Sequence, residues 1–146
     1  MIVKSAIGTD NDYNPLFSNI CSNKKLVSFF DFENRRGLFP SVHRMERFAL
    51  LTLGVSDGRV SLAFNLLDPN SVSNPLRVIN VSLEDLRLAT AKTFRLPTVQ
   101  NLYEFELLKR IYTTANFGRL RDENREWGIV FSTLLVLTYR SMSENC

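Results

Sequence analysis

The sequence predicts an α/β fold, because strand-like apolar runs and an amphipathic helix occur in one chain of 146 residues. Leu26 to Phe32 is almost continuously apolar and rich in Phe and Val, which is typical of a strand buried on both faces. Phe48 to Leu53 is a second apolar run, and Val60 to Leu66 alternates apolar with polar residues at strand period. Asn101 to Tyr112 has the spacing of a helix with one apolar face. At this length the chain forms one compact domain by default.

The amino-terminal segment predicts a strand followed by a helix. Met1 to Ile7 resembles the end of a buried strand more than the solvated start of a domain, so we expect further chain in front of it. The polar residues from Thr9 to Asp12 supply cap and first-turn positions for a helix that runs to about Asn23. Pro15 is compatible with this helix if it lies in the first turn.

The middle of the chain contains a strand, a turn and a short helix. Arg47 to Leu53 is a strand that ends at the turn Gly54 to Gly58, and the alternating strand follows. Asp68 to Pro75 is a loop. Ser82 to Asp85 matches a capping box, which predicts a short helix to about Ala89.

The carboxyl-terminal third begins with an extended segment, Thr93 to Val99, and continues into the amphipathic helix. We expect Glu106 and Arg110 to form a favourable pair one helical turn apart. Arg119 to Arg125 is a charged connection, and Trp127 to Tyr139 is a final strand-like run. The helical spacing predicts one face that packs in the core, formed by Leu102, Phe105, Leu108 and Tyr112.

The composition is that of an ordinary globular protein, and its basic charge is compatible with an anionic partner. The net charge is +3, and Arg accounts for thirteen of the eighteen basic residues. Arg grips phosphate groups and base edges with two parallel hydrogen bonds. A solvated basic surface is the alternative, and only clustering of the charges distinguishes the two.

Several kinds of site and location are poorly supported by the residues. Cys21 and Cys146 lie far apart and His43 is the single histidine, which argues against a disulfide framework, a zinc site and a Ser/His/Asp or Cys/His catalytic set. The six glycines form no G-x-G-x-x-G or Walker pattern. No signal peptide opens the sequence, and the apolar stretch Ile129 to Leu137 is too short to span a bilayer, so we expect no membrane partner and a cytoplasmic location.

The segment Asp31 to Gly54, DFENRRGLFPSVHRMERFALLTLG, joins the first two apolar runs through a basic, aromatic and proline-stiffened loop. Phe39 and Pro40 lie near its middle, and Arg35, Arg36, Arg44 and Arg47 surround them. Positive charge and an aromatic ring at one rim of a sheet are typical of nucleic-acid binding. The basic residues are therefore clustered in this loop, which favours an anionic partner over an evenly solvated basic surface.

Five segments between Met1 and about Thr133 occur in a characteristic order: MIVKSAIGTDND, LVSFFDFENRRGLFPSVHRMERFALLTLG, FNLLDPNSVSNP, SLEDLRL and LLKRIY. In this order and spacing, they resemble the DNA adenine-specific methyltransferases of large restriction-modification enzymes. The resemblance implies a partial class I methyltransferase sheet, Rossmann-like, which ends in an antiparallel hairpin and is accompanied by helices and a further strand segment. Residues 1–90 would be the second half of the catalytic domain, and residues 91–146 a truncated connection towards a target-recognition region.

The same resemblance implies that the chemistry is supplied by another part of the parent enzyme. In the family, the S-adenosylmethionine loop lies on the first strand and the catalytic N-P-P-F type motif follows the fourth, whereas Met1 to Ile7 would be the fifth strand. Asn14-Pro15-Leu16-Phe17 imitates the catalytic motif but lacks its second proline, and Asp68-Pro69-Asn70 and Asn74-Pro75-Leu76 fail in the same way. We therefore expect no catalytic residue and no bound cofactor in this chain alone, and S-adenosylmethionine as cofactor of the parent.

The loop residues receive roles from this resemblance. Phe39 matches the position on which an extruded adenine stacks, and a hydrophobic plug that closes the hairpin is an equally supported role. His43 is expected to be a surface donor, and Asn34 a turn-forming residue or a ligand of the base edge or backbone. Four arginines would contact phosphates: Arg35, Arg36, Arg44 and Arg47. Pairing with Asp31 and Glu33 is the alternative for Arg35 and Arg36, whereas Arg44 and Arg47 have only Glu46 close in sequence.

The functional expectation is thus a fragment of a site-specific methyltransferase that moves a methyl group from S-adenosylmethionine to the amino group of adenine in DNA, inactive alone. DNA is the expected partner, together with the missing amino-terminal half or another chain that completes the sheet. Two alternatives stay open: a non-catalytic module that binds DNA or a protein partner through the basic hairpin, and a gene remnant without activity.

Overall fold

A five-stranded mixed sheet organises the computed structural model, which describes residues 1–90 and 93–114. In chain order, the strands are β1 (Ile2–Lys4), β2 (Leu26–Glu33), β3 (Arg47–Leu53), β4 (Arg59–Leu66) and β5 (Ile79–Ser82). The helices are α1 (Ala6–Thr9), α2 (Asn14–Ser22), α3 (Leu83–Ala89) and α4 (Leu102–Thr114). The described part of the chain is therefore of the mixed α/β class that the apolar patterns predict.

The spatial order of the strands is β1-β3-β2-β4-β5, with β2 at the centre. β3 runs antiparallel to both β1 and β2, while β4 is parallel to β2 and antiparallel to β5. The predicted antiparallel hairpin, β2 with β3, is thus present, but it lies inside the sheet because β4 and β5 continue beyond β2. β5 is a strand that the sequence analysis missed, although Ile79 and Val81 alternate with polar neighbours there.

The two faces of the sheet carry different apolar clusters. Phe29 of β2 is paired with Leu51 and Leu62, and all three are fully buried on the face that the helices cover. Phe30 points to the opposite face, since successive residues of a strand alternate in direction. The cluster on that face contains Phe30, Phe32, Phe48, Leu50, Ala63 and Leu66, with Leu38 and Val72 packed against it. In the part of the chain that the structure describes, segments between strands supply the packing on this second face.

The amino-terminal helix starts later than the polar cap residues suggest. The chain forms one helical turn, α1, directly after β1, and α2 then begins at Asn14. Tyr13 occupies the N-cap position and makes no side-chain cap bond, so the prediction that residues 9–12 cap one long helix was wrong. Pro15 lies in the first turn of α2, where its missing N–H leaves no helical bond unmade, as predicted.

The capping box at α3 is confirmed, because the Ser82 hydroxyl accepts a hydrogen bond from the backbone N–H of Asp85 at 3.0 Å. Asp85 also accepts from that hydroxyl at 2.8 Å and pairs with Lys109 of α4 at 3.1 Å. The Ser82 hydroxyl and the Lys109 ammonium together lower the pKa of the Asp85 carboxyl. This contact joins α3 to α4.

The amphipathic helix α4 is present, with two differences from its predicted contacts. Phe105 is fully buried and Leu108 packs against the core, as predicted, whereas Leu102 is 51% exposed at the first turn. Glu106 pairs with Lys109 at 2.8 Å, one residue nearer than the predicted partner Arg110. The predicted charged connection and final apolar run, residues 119–139, lie outside the described residues.

Burial of the Cys21 side chain in the helix-covered core gives a pH test of the fold. Burial raises the pKa of the Cys21 thiol to about 12, from an ordinary value of 9.0. A group whose pKa is raised on folding contributes stability that is complete below the unfolded pKa and is lost as the pH rises towards the folded value. We expect the free energy of unfolding to fall between about pH 9 and 12, and to fall less in Cys21→Ala, as measured by urea titration at each pH. Equal alkaline losses in the two proteins would contradict the buried thiol.

Candidate nucleic-acid interface

Three parallel strands end at the same edge of the sheet, and the basic loop lies there. β1, β2 and β4 point in one direction, and their carboxyl ends are followed by Ser5, Asn34 and Leu67 respectively. β3 begins at this edge with Arg47, so residues 34–46 connect two neighbouring strands across it. In open α/β sheets, ligands bind outside the carboxyl ends of the parallel strands. The geometry therefore makes this edge the candidate site.

Asn34 determines the shape of the loop. The Asn34 side chain is fully buried. Its Oδ1 accepts a hydrogen bond from the backbone N–H of Phe39 at 2.9 Å. Its Nδ2 donates to the carbonyl oxygens of Phe39 at 3.0 Å and Val42 at 2.9 Å. Gly37, at a φ of 71°, closes the 3-10 turn Asn34–Arg36 by donating its N–H to the Asn34 carbonyl at 2.7 Å. The amide is thus a loop-forming group, which leaves it unsuited to contact a base edge.

Phe39 is held by this frame with part of its ring in solvent. The residue is 37% exposed, and its ring meets Phe48 edge to face at a centroid distance of 4.9 Å. Phe48 in turn stacks in parallel on Phe32 at 5.3 Å. Phe39 therefore has the contacts of a plug on the second face of the sheet and also an accessible surface for a ligand.

The arginine that opens β3 is held by a buried carboxylate. The Arg47 Nη2 group pairs with Asp31 Oδ2 and donates to Asn65 Oδ1 at 2.7 Å, while Nε approaches Asp31 Oδ1 at 3.4 Å. The expected alternative partner of Asp31 was Arg35 or Arg36, so the pairing differs from that expectation. Residues 31 and 47 lie on the same face of adjacent strands, because Asp31 is paired with Ala49 two positions along β3.

The remaining arginines of the loop are exposed to solvent, and they differ in whether an acidic side chain neutralises their charge. Arg35 pairs with Glu33 at 3.0 Å, which is one of the two acidic partners that the sequence analysis gave as the alternative to phosphate. Arg36 approaches Asp68 at 3.5 Å. Arg44 donates to the backbone carbonyl of Arg35 at 3.4 Å and has no acidic partner in the part of the chain that the structure describes. Surface ion pairs are weak, so Arg35 and Arg36 can exchange their carboxylate partners for phosphate at little cost, and Arg44 has no ion pair to break.

His43 and Arg77 are two further polar residues near the edge. His43 is exposed, and its Nδ1 accepts from the backbone N–H of Met45 at 3.2 Å, which orients the ring locally. Arg77, which sequence reasoning missed, donates to the carbonyl oxygen of Phe64 at 2.8 Å at the end of β4. Its sequence neighbours contain no pattern that would have revealed this role.

The imitations of the catalytic motif have structural roles. Phe17 is buried in the core and meets Phe29 edge to face at 5.8 Å, within the first turns of α2. Asp68 and Asn74 each accept a hydrogen bond from the backbone N–H two residues later, at 2.8 and 3.0 Å, and so form tight turns. These contacts account for the Asn-Pro and Asp-Pro segments without a catalytic role.

Residues 1–90 and 93–114 hold no cluster of three or more His, Cys, Asp or Glu side chains that could bind a metal ion. Among the same residues, no helix has the length and apolar character needed to cross a membrane. The chain matches no protein-family model, no curated protein and no solved structure.

Proposed function

We propose that this chain is the DNA-holding second half of the catalytic domain of an adenine-specific DNA methyltransferase. The observation that carries the proposal is the loop at the carboxyl edge, where Asn34 holds a partly exposed Phe39 between arginines that are accessible to solvent. An aromatic ring beside flexible positive charge suits an unstacked base and its flanking phosphates. Phe39 is the stacking surface in this proposal, with Arg35, Arg36 and Arg44 as phosphate contacts and His43 as an additional donor.

The strand order supports the same proposal. The family implied by the sequence resemblance has an antiparallel hairpin after its parallel strands, and β3 lies antiparallel between β1 and β2. β1 lies at an edge of the described sheet, so its outer backbone groups can pair with additional strands. A partial class I sheet that another segment or chain extends is consistent with this arrangement.

The proposed division of labour leaves the methyl donor to the rest of the enzyme. The 146 residues contain neither an N-P-P-F motif nor a glycine-rich phosphate loop, so we expect no methylation by this chain alone. The parent reaction would transfer the methyl group of S-adenosylmethionine to the adenine amine in the cytoplasm. Tight binding of S-adenosylmethionine to this chain in calorimetry would contradict the proposal.

Phe39→Ala tests the base-stacking role. We expect the wild-type chain to bind a duplex with one extrahelical adenine more tightly than the fully paired duplex, because the adenine can stack on Phe39. Loss of a stacking contact worth about 1 to 3 kcal/mol should reduce binding of the bulged duplex roughly 5- to 150-fold and leave the paired duplex almost unaffected, as measured by fluorescence anisotropy.

Val42→Ala is the matched control, because Val42 belongs to the same loop and is similarly exposed at 41%. Its binding should equal that of the wild type. If Phe39→Ala retains the full preference for the bulged duplex, the stacking role is wrong. Binding without any preference for extrahelical adenine would favour the non-catalytic DNA-binding module.

A further inference from the structure

A fully buried carboxylate lies on the helix-covered face of the sheet, near the edge that carries the candidate interface. Asp31, near the carboxyl end of β2, accepts hydrogen bonds from the Ser5 hydroxyl and from the backbone N–H of Asn65 at 3.1 Å, and it pairs with Arg47. Burial of an ionised carboxylate is costly unless its oxygens are paired. Three segments of the chain supply the partners, so the position of this carboxylate is tightly determined.

The local backbone of β4 is shaped to serve this contact. The pairing of β2 with β4 is interrupted between Phe30 and Phe32, and Asn65 has a φ of 54°, in the left-handed region. This irregularity turns the Asn65 N–H towards Asp31 while its Oδ1 accepts from Arg47 at 2.7 Å. A left-handed Asn is uncommon and is retained where the surrounding contacts require it.

These contacts use only one edge of the Arg47 guanidinium. Nε and Nη2 face Asp31 and Asn65, whereas Nη1 has no hydrogen-bond partner in the described part of the chain. The side chain is 41% exposed, at the same sheet edge as the basic loop. A guanidinium held on one edge loses little conformational freedom when the other edge binds an anion.

We infer that Asp31 is a positioning residue that, with Asn65, fixes Arg47 so that its Nη1 edge receives a phosphate oxygen of DNA. This inference rests on the proposed DNA-binding function and makes it specific, because it distinguishes one preorganised arginine from the exposed arginines of the loop. Asp31 acts through Arg47 and does not touch the DNA. Its negative charge alone would repel a phosphate, so positioning and net charge predict effects of opposite sign.

Asp31→Asn separates the effect of positioning Arg47 from the effect of net charge on DNA binding. The substitution removes a negative charge, yet it replaces one carboxylate oxygen with an amide group that cannot accept from Arg47. We expect duplex DNA to bind roughly tenfold more weakly to Asp31→Asn in salt titrations monitored by anisotropy. Glu33→Gln is the matched control, since it also removes one negative charge at this edge, from the surface pair with Arg35, and it should bind DNA as tightly as the wild type or more tightly.

Two further variants separate positioning from a purely structural role. Asn65→Gly keeps the left-handed backbone accessible and removes only the side-chain acceptor of Arg47, so we expect binding about threefold weaker. Arg47→Met should reduce the slope of log affinity against log salt by about 1, which a merely structural arginine would not change. If Asp31→Asn does not fold, as judged by circular dichroism, the binding of Asn65→Gly and Arg47→Met decides whether Arg47 is positioned for DNA.

The outcomes distinguish this inference from the proposed function. Binding by Asp31→Asn that is equal to or tighter than wild type, or an unchanged salt slope in Arg47→Met, overturns the positioning role while the DNA-binding function stands. Absence of salt-dependent DNA binding by the wild-type chain overturns both.

Discussion

Asn34→Ala is expected to destabilise the loop and to abolish the preference for an extrahelical adenine. The substitution leaves the N–H of Phe39 and the carbonyl oxygens of Phe39 and Val42 without their partner. Each unpaired group in a buried setting costs about 1 to 3 kcal/mol, and water can reach part of this loop, so we expect a total loss of about 2 to 4 kcal/mol. In this variant Phe39 keeps its ring but loses the contacts that hold it in position.

The measurement combines urea unfolding with the bulged-duplex binding assay. Asn34→Asp is the sharper variant, because it keeps the size of the side chain and places an acceptor oxygen where Nδ2 now donates to carbonyl groups. Asn23→Ala is the control, since Asn23 is exposed at the end of α2 and its loss should change stability by no more than about 0.5 kcal/mol. Retention of both stability and adenine preference by Asn34→Ala would show that the loop keeps its shape by other contacts.

Phe29→Ala is expected to have the largest effect on the fold. Phe29 lies on the central strand, is fully buried, and meets Phe17 and Phe64 at centroid distances of 5.8 and 6.3 Å. Truncating a buried Phe removes transfer free energy and leaves a cavity, which costs about 3 to 5 kcal/mol. For a domain of this size that is a large share of the total stability of about 5 to 15 kcal/mol.

Phe30→Ala provides the comparison within the same strand. Phe30 is only partly buried and lies on the opposite face, where the cluster of described residues contains no side chain from α1 to α4. We expect it to cost clearly less than Phe29→Ala, as measured by the midpoint of urea unfolding at constant slope. Similar losses for the two variants would contradict the assignment of the main core to the helix-covered face.

Local sequence patterns were sufficient for the central strands and for the helices with clear caps. Continuous or alternating apolar residues identified β2, β3 and β4, because side-chain direction in a strand repeats every two residues. Ser82 identified the start of α3 for the same local reason, a hydrogen bond that spans three residues. β5 was missed because its four residues are too short for a periodic signal.

The contacts of the candidate site were less accessible to sequence reasoning. A turn-forming role for Asn34 could be expected from its residue type, but the identity of its partners, five and eight residues away, depends on how the loop folds back. For Leu102, helical spacing predicted burial, whereas its position in the first turn of α4 leaves it exposed. Periodicity defines a face but does not show where the neighbouring elements end.

The sequence by itself determined the mixed α/β character, the central strands and the presence of a basic aromatic loop between two of them. Tertiary structure alone decided which arginine pairs with the buried carboxylate of Asp31. Asp31 meets Arg47 across 16 residues and Asn65 across 34, through the register of β3 and the irregular pairing of β4. Strand pairing brings these partners together over long separations in sequence, so the immediate neighbours of Asp31 do not identify them.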